Sequence, residues 1–283
     1  MTQWNSYPHN NRHFIYKGDK LKSAWPKLHA GDCVEFPDSE SVAYQLDEYP
    51  DAGPADFNDD LSSLAESLQE AWRHFHAGEF EQASLLANDC GLLGHAISGK
   101  STGIYATYLE PSEAAQQGLF LGAVEVAENA IELLPDDANS HYFHAFNLGR
   151  YSQSISIIKA LSQGIGGKIH TSLQNTLSLQ ADHAEAHTAM GLYHAEIINK
   201  VGKTLGKLTY GASIPKALKH FETALELCPD SPIAHIEYAN GLYLLYEDDK
   251  LDEVTDLYVK ATELKARDAM EQLDIDAAMA ELE

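Results

Sequence analysis

The chain has 283 residues, 44% of them apolar and 22% charged, and a formal net charge of −24. That balance belongs to a folded soluble protein and argues against a surface for duplex DNA or anionic membrane, whose phosphates would repel it. Cys33, Cys90 and Cys228 are odd in number and scattered, which excludes a disulfide framework or a cysteine zinc site and suits a reducing compartment.

The first twenty residues hold no apolar core for a signal peptide, and no run is apolar and long enough for a membrane helix, so a cytoplasmic location is expected. Residues 1–60 are expected to form an irregular acidic arm. From Asp32 to Glu70 there are twelve acids and no Lys or Arg, and Pro37, Pro50 and Pro54 interrupt the run. Trp25, Phe36, Tyr44 and Tyr49 give this arm apolar surface with which to lie on the rest. Residues 61–283 form the second region. There, helical spacing predicts helices near 61–76, 80–90, 111–134, 138–148, 152–163, 168–179, 184–199, 214–227, 232–246, 251–265 and 274–282, with no strand. The last, acidic on its outer positions, is expected to cap the stack.

Self-similarity occurs twice. "LKSAWPKLHAGD" at 21–32 matches "LQEAWRHFHAGE" at 68–79, an offset of 47. "AIELLPDDANSHYFHA" from Ala130, "TLSLQADHAEAHTAMG" from Thr176 and "ALELCPDSPIAHIEYA" from Ala224 also align, at offsets of 46 and 48. His141, His187 and His235 coincide, each followed four residues later by a small residue (Ala145, Gly191, Ala239). Each segment reads as the end of one helix, a stop, and the start of the next. Pro229 ends a helix, Ser231 caps another and Pro232 takes its first position. A small residue one turn past each histidine lets helices approach closely. Such hairpins bury their apolar faces only by stacking.

With the Gly-acidic-aromatic turn at Gly78, Glu79 and Phe80, the small crossing residue Ala83, and the closing "ALELCPD", residues 60–265 or so resemble the tetratricopeptide repeat. The longer period resembles the divergent forms typified by the TRAP-transporter-associated TatT proteins and the regulators of microtubule dynamics. The resemblance implies an all-α fold, an α-α superhelix or solenoid of helical hairpins. It also implies a concave groove, which at the aligned positions carries Tyr142, Phe146, Leu192, Ile236, Asn240 and Tyr243. The Lys/Asn carboxylate clamp of chaperone-binding members is matched only by Asn240.

"GHAISGKS" at 94–101 fits the phosphate-cradling pattern G-x-x-x-x-G-K-[ST], but that pattern works between a strand and a helix N-terminus. Helical spacing precedes Gly94 instead, so a turn between two helices is expected. Fourteen histidines invite a metal reading, and His183, His187 and His194 share one sector of a helix. The ladder of His141, His187 and His235 nevertheless sits at a packing position, where an imidazole is expected to bond a backbone carbonyl of the adjacent turn. No metal and no cofactor are expected.

The segment "NKVGKTLGKLTYGASIPKALKH" at 199–220 carries five lysines and no acid. Gly202, Gly206 and Gly211 are expected to break its helix and free backbone N–H groups. Lys200, Lys203, Lys207 and Tyr210 are its candidates for holding an anion. No catalytic motif is present. The sequence therefore reads as a non-catalytic scaffold for a protein or peptide partner. The alternative is a small-anion or transport-associated ligand binder using the 199–220 insertion. Neither nucleic acid nor membrane is expected as a partner.

Overall fold

The computed structural model describes residues 3–283. Among the described residues the regular elements are helices and there is no strand. The chain divides into two compact units. One comprises Met1–His29, Val34–Ser154 and Asp268–Met270, the other Ala30–Cys33, Ile155–Arg267 and Glu271–Glu283.

The first unit contains α1 (Lys20–Leu28), α2 (Ser39–Glu48), α3 (Leu61–His76), α4 (Phe80–Asp89), α5 (His95–Tyr108), α6 (Glu113–Leu133) and α7 (Ala138–Gln153). The described residues up to 60 thus carry two α-helices where an irregular arm was expected. Pro37 and Pro50 bound α2 rather than break it, and the Asp38 carboxylate caps its start by accepting from the Ser41 N–H at 3.2 Å. The helix α1 is held by its apolar side: Leu21 and Trp25 are buried although Pro26 removes one helical donor.

The 47-residue repeat now has a spatial meaning. Trp25 meets Trp72 edge-on with ring centroids 5.7 Å apart, His29 meets Trp72 at 4.5 Å, and His29 meets His76 at 5.3 Å. The matched residues of the two copies pack on one another. His76 also bonds Asp268 through Nδ1 at 2.8 Å, deep in the unit, and burial lowers its pKa despite that carboxylate. The turn after α3 follows the expected Gly-acidic-aromatic pattern. Gly78 has φ of 80°, and an added Cβ there would stand 2.6 Å from the Tyr7 ring.

The helix α5 was not expected at all. Its sequence is rich in Gly, Ser and Thr, yet these small residues admit close neighbours. A Cβ on Gly103 would lie 2.3 Å from the Phe146 ring, and one on Gly94 would lie 1.9 Å from the Ala87 carbonyl oxygen. Tertiary packing here overrides weak intrinsic propensity.

The second unit contains α8 (Ile157–Ser162), α9 (Ile165–Leu179), α10 (Ala184–Val201), α11 (Lys203–Tyr210), α12 (Ile214–Leu227), α13 (Pro232–Tyr246) and α14 (Leu251–Glu263). The helix α15 (Ala269–Leu282) starts in the first unit and continues in the second. Ser231 caps α13 with Pro232 in its first turn, as the sequence predicts. The centre of this unit is Phe221 of α12, fully buried, with Tyr238 stacked on it at 4.9 Å. It lies against Gly191 of α10 and Gly241 of α13, where an added Cβ would stand 2.7 and 2.4 Å from its ring. The small residue one turn past His187 is there for this contact. Ala278 of α15 buries with Ile236 and Ala261, so the last helix does cover an apolar face.

Candidate functional site

The six residues assigned to a groove fall on three helices, and the structure separates them by exposure. On α7, Tyr142 is buried and stacks on half-buried Phe146 at 6.2 Å, with the Arg150 guanidinium over Phe146 at 5.8 Å. On α13, Ile236 is buried against Ala261 and Ala278. Tyr142 and Ile236 therefore fill the core. Leu192 of α10 is half-buried beside the Phe221 cluster. Asn240 is held from both ends. Its Nδ2 donates to Glu237 Oε2 at 2.9 Å, and its Oδ1 accepts from the Tyr258 hydroxyl at 2.6 Å. Tyr243, one turn further along α13, is 50% exposed despite its size.

The 199–220 segment is more helical than expected. Gly202, with φ of 84°, separates α10 from α11, and Gly211, with φ of 64°, ends α11. Gly206 does not break the helix. Its N–H donates to the Gly202 carbonyl at 2.9 Å, and an added Cβ would meet Ile197 at 3.2 Å. Glycine here permits close packing of α11 on α10. Lys200 pairs with Glu196 at 2.6 Å, while Lys203 and Lys207 are exposed one turn apart. Tyr210 is half-buried against Gly166 of α9.

The histidine ladder makes the same bond three times. His141 Nε2 meets the Pro135 carbonyl at 3.3 Å, His187 Nε2 the Ala181 carbonyl at 3.1 Å, and His235 Nε2 the Pro229 carbonyl at 2.9 Å. Each imidazole satisfies a carbonyl in the turn preceding its own helix, as its repeat position implies. His183 instead caps α10, its Nδ1 accepting from the Ala186 N–H at 3.0 Å. His187 and His183 thus do separate structural work. Among the described residues no group of three or more His, Cys, Asp or Glu side chains is arranged to hold a metal ion.

Sequence spacing gave no sign of the partner of His187. Its Nδ1 lies 2.8 Å from Nδ1 of His220, which comes from α12. Because His187 donates from Nε2, its Nδ1 is the acceptor and His220 the donor. His194 and His170 lie next in line, with ring centroids 5.9 Å from His220 to His194 and 6.3 Å from His194 to His170. Burial, helped by His220 and Lys216, pushes His194 down to about 3; burial, helped by His187 and nearby lysines, pushes His220 down to about 4.

The stretch 94–101 lies at the start of α5, not in a turn. Lys100 is 3% exposed, with its ammonium 5.8 Å from the Phe75 ring centre. Ser98 Oγ donates to Asn88 Oδ1 at 2.9 Å, and the Gly99 carbonyl accepts from Asn147 Nδ2 at 3.3 Å. No strand leads into the first glycine. Gly94, Gly99 and Lys100, three of the motif's four defining residues, are engaged in packing.

No helix among the described residues is long and apolar enough to cross a membrane. No curated protein matches the chain. Among solved structures, the tetratricopeptide protein TTC0263 of Thermus thermophilus is similar at a TM-score of 0.53 and 17% identity, over 77% of this chain and 99% of that one. The MamA D159K mutant aligns at 16% identity over 74% of this chain and all of that one, with a TM-score of only 0.36. The first likeness establishes an all-α, tetratricopeptide-like fold. The model of the family "Regulator of microtubule dynamics protein 1-3" matches residues 100–280, well over half of the sequence. The chain belongs to the regulator of microtubule dynamics protein 1-3 family.

Proposed function

We propose that this protein is a non-catalytic scaffold that holds a protein or peptide segment against the face of α10 and α13 bearing Leu192, Asn240 and Tyr243. The observation that carries the reading is the exposure of Tyr243. A large amphipathic ring stands half in solvent on a helix whose other apolar side chains are mostly packed, beside an asparagine held in place by Glu237 and Tyr258. Rigid aromatic anchors flanked by oriented polar groups are what recognition surfaces use. The small-anion reading of 199–220 has less support, since Lys200 is engaged with Glu196 and Lys203 and Lys207 stand in solvent. The three free thiols fit a reducing, cytoplasmic setting.

A photo-crosslinking amino acid at position 243 tests this. It is expected to capture a partner that the same group at Val259, an exposed position on α14, does not. Leu192→Asp is expected to abolish the capture. Identical products from both positions would overturn the assignment.

A further inference from the structure

We infer that the surface built by α8 and α11 is a second docking site, and that its occupant is an acidic amphipathic peptide segment of a partner protein. The site is distinct from the Tyr243 face.

Both helices are anomalous in the same way. The helix α8 has no buried residue, yet it carries Ile157, Ile158 and Leu161, which are 45%, 81% and 46% exposed. In α11 only Gly206 is buried, while Leu205 and Leu208 are 53% and 81% exposed. Five large apolar side chains on two short helices amount to an unpartnered surface, where isolated exposed leucines would need no explanation. The two helices are linked through α9. The chain passes from α8 through Gly164 into α9, where Gly166 packs on Tyr210, the last residue of α11.

Charge selects the occupant. In a protein of net charge −24, residues 155–181 and 197–221 contain no Asp or Glu. Exposed Lys203 and Lys207 sit one turn apart on the helix that carries Leu205 and Leu208, and exposed Lys168 lies on α9. An opposite charge and an apolar stripe together describe an acidic amphipathic segment. A small anion leaves the leucines and isoleucines wet. An anionic bilayer brings the rest of an acidic surface towards like charge, whereas a peptide covers this patch alone.

The test is fluorescence anisotropy with a labelled synthetic helix of Glu, Ala and Leu, its leucines on one face, and the counterpart in which every Glu is Lys. The intact chain is expected to bind the acidic peptide at least tenfold more tightly than the basic one, with affinity falling as salt rises. Lys203→Glu with Lys207→Glu, and separately Ile158→Asp with Leu208→Asp, are each expected to weaken it at least tenfold. All four positions are exposed, and unchanged circular dichroism checks that the fold survives. Tyr243→Ala, at an exposed position, leaves this binding unchanged, so its outcome and that of the crosslinking experiment are independent. No preference for the acidic peptide, indifference to both pairs of substitutions, or tighter binding to phosphatidylserine-containing vesicles than to the peptide overturns the inference.

Discussion

His235 and Pro229 stand 2.9 Å apart, imidazole Nε2 to backbone carbonyl, six residues from one another and on opposite sides of a helix start. His141 and His187 repeat that geometry on Pro135 and Ala181. The bond fastens the link between two helices to the helix that follows, in each aligned repeat. His235→Ala removes the donor to the Pro229 carbonyl, and because Pro229 itself is exposed and water can take the donor's place, a loss of about 0.5–1.5 kcal/mol in denaturant stability is expected. His235→Gln, whose amide can reach the same oxygen, is expected to recover part of it. Equal losses for the two variants would show that ring packing, not the bond, matters there.

Phe221 is clasped between two glycines, and neither has room for a methyl group. Gly191→Ala and Gly241→Ala are each expected to cost about 1–3 kcal/mol through overpacking. A rigid ring with Tyr238 on one face has little freedom to yield. Combining Gly191→Ala with Phe221→Leu is expected to be less damaging than the sum of the two, a coupling that a double-mutant cycle reads directly.

These features differ in how far the sequence exposes them. The ladder histidines, the Ser231 cap and the close approach at Gly191 are set by position within a repeat, and aligning three short segments reveals all of them. The helix α5 stayed hidden because Gly94, Gly99 and Gly103 look like loop residues until the rings of Phe143 and Phe146 are seen against two of them. Gly206 misled in the same way. The burial of Tyr142 and Ile236 could not be read from repeat position, since neighbouring rings and α15 cover them. The contact of His187 with His220 joins residues 33 apart through tertiary packing, which no local period encodes.

The histidine row makes stability depend on pH in a definite direction. An unfolded imidazole takes up its proton near pH 6.5, whereas folded His194 and His220 do so only at about 3 and about 4. Between those limits the unfolded chain binds more protons, so stability falls as pH drops from about 6.5 towards 4 and is insensitive to these groups above about 7. Asp137 acts lower. Burial opposes its ionisation, but His95 and hydrogen bonds from Ser140 outweigh it and hold the carboxyl at about 2, so its share is lost only below pH 4. His194→Leu is expected to flatten the fall in Tm between pH 7.5 and 5. Its Nδ1 is buried without a hydrogen-bond partner, so leucine strands no polar group there. A slope equal to that of the parent would assign the acid sensitivity to other histidines.

Gly94 and Lys100 separate packing from phosphate binding. If 94–101 cradled a nucleotide, magnesium and ATP would raise Tm in the parent, and Lys100→Ala would cancel the rise without harming the fold. The structure requires the reverse. Gly94 is pressed on the backbone of α4, where no side chain can move aside, and Lys100 lies inside the first unit beside Phe75. Gly94→Ala is therefore expected to be among the most damaging single changes, above about 3 kcal/mol, because backbone must shift to relieve the contact. Lys100→Ala is expected to lower Tm in the absence of any ligand, and ATP with magnesium is expected to leave Tm unchanged in parent and variant alike. A nucleotide-dependent rise that disappears with Lys100 would mean that α5 unwinds at its start to admit phosphate.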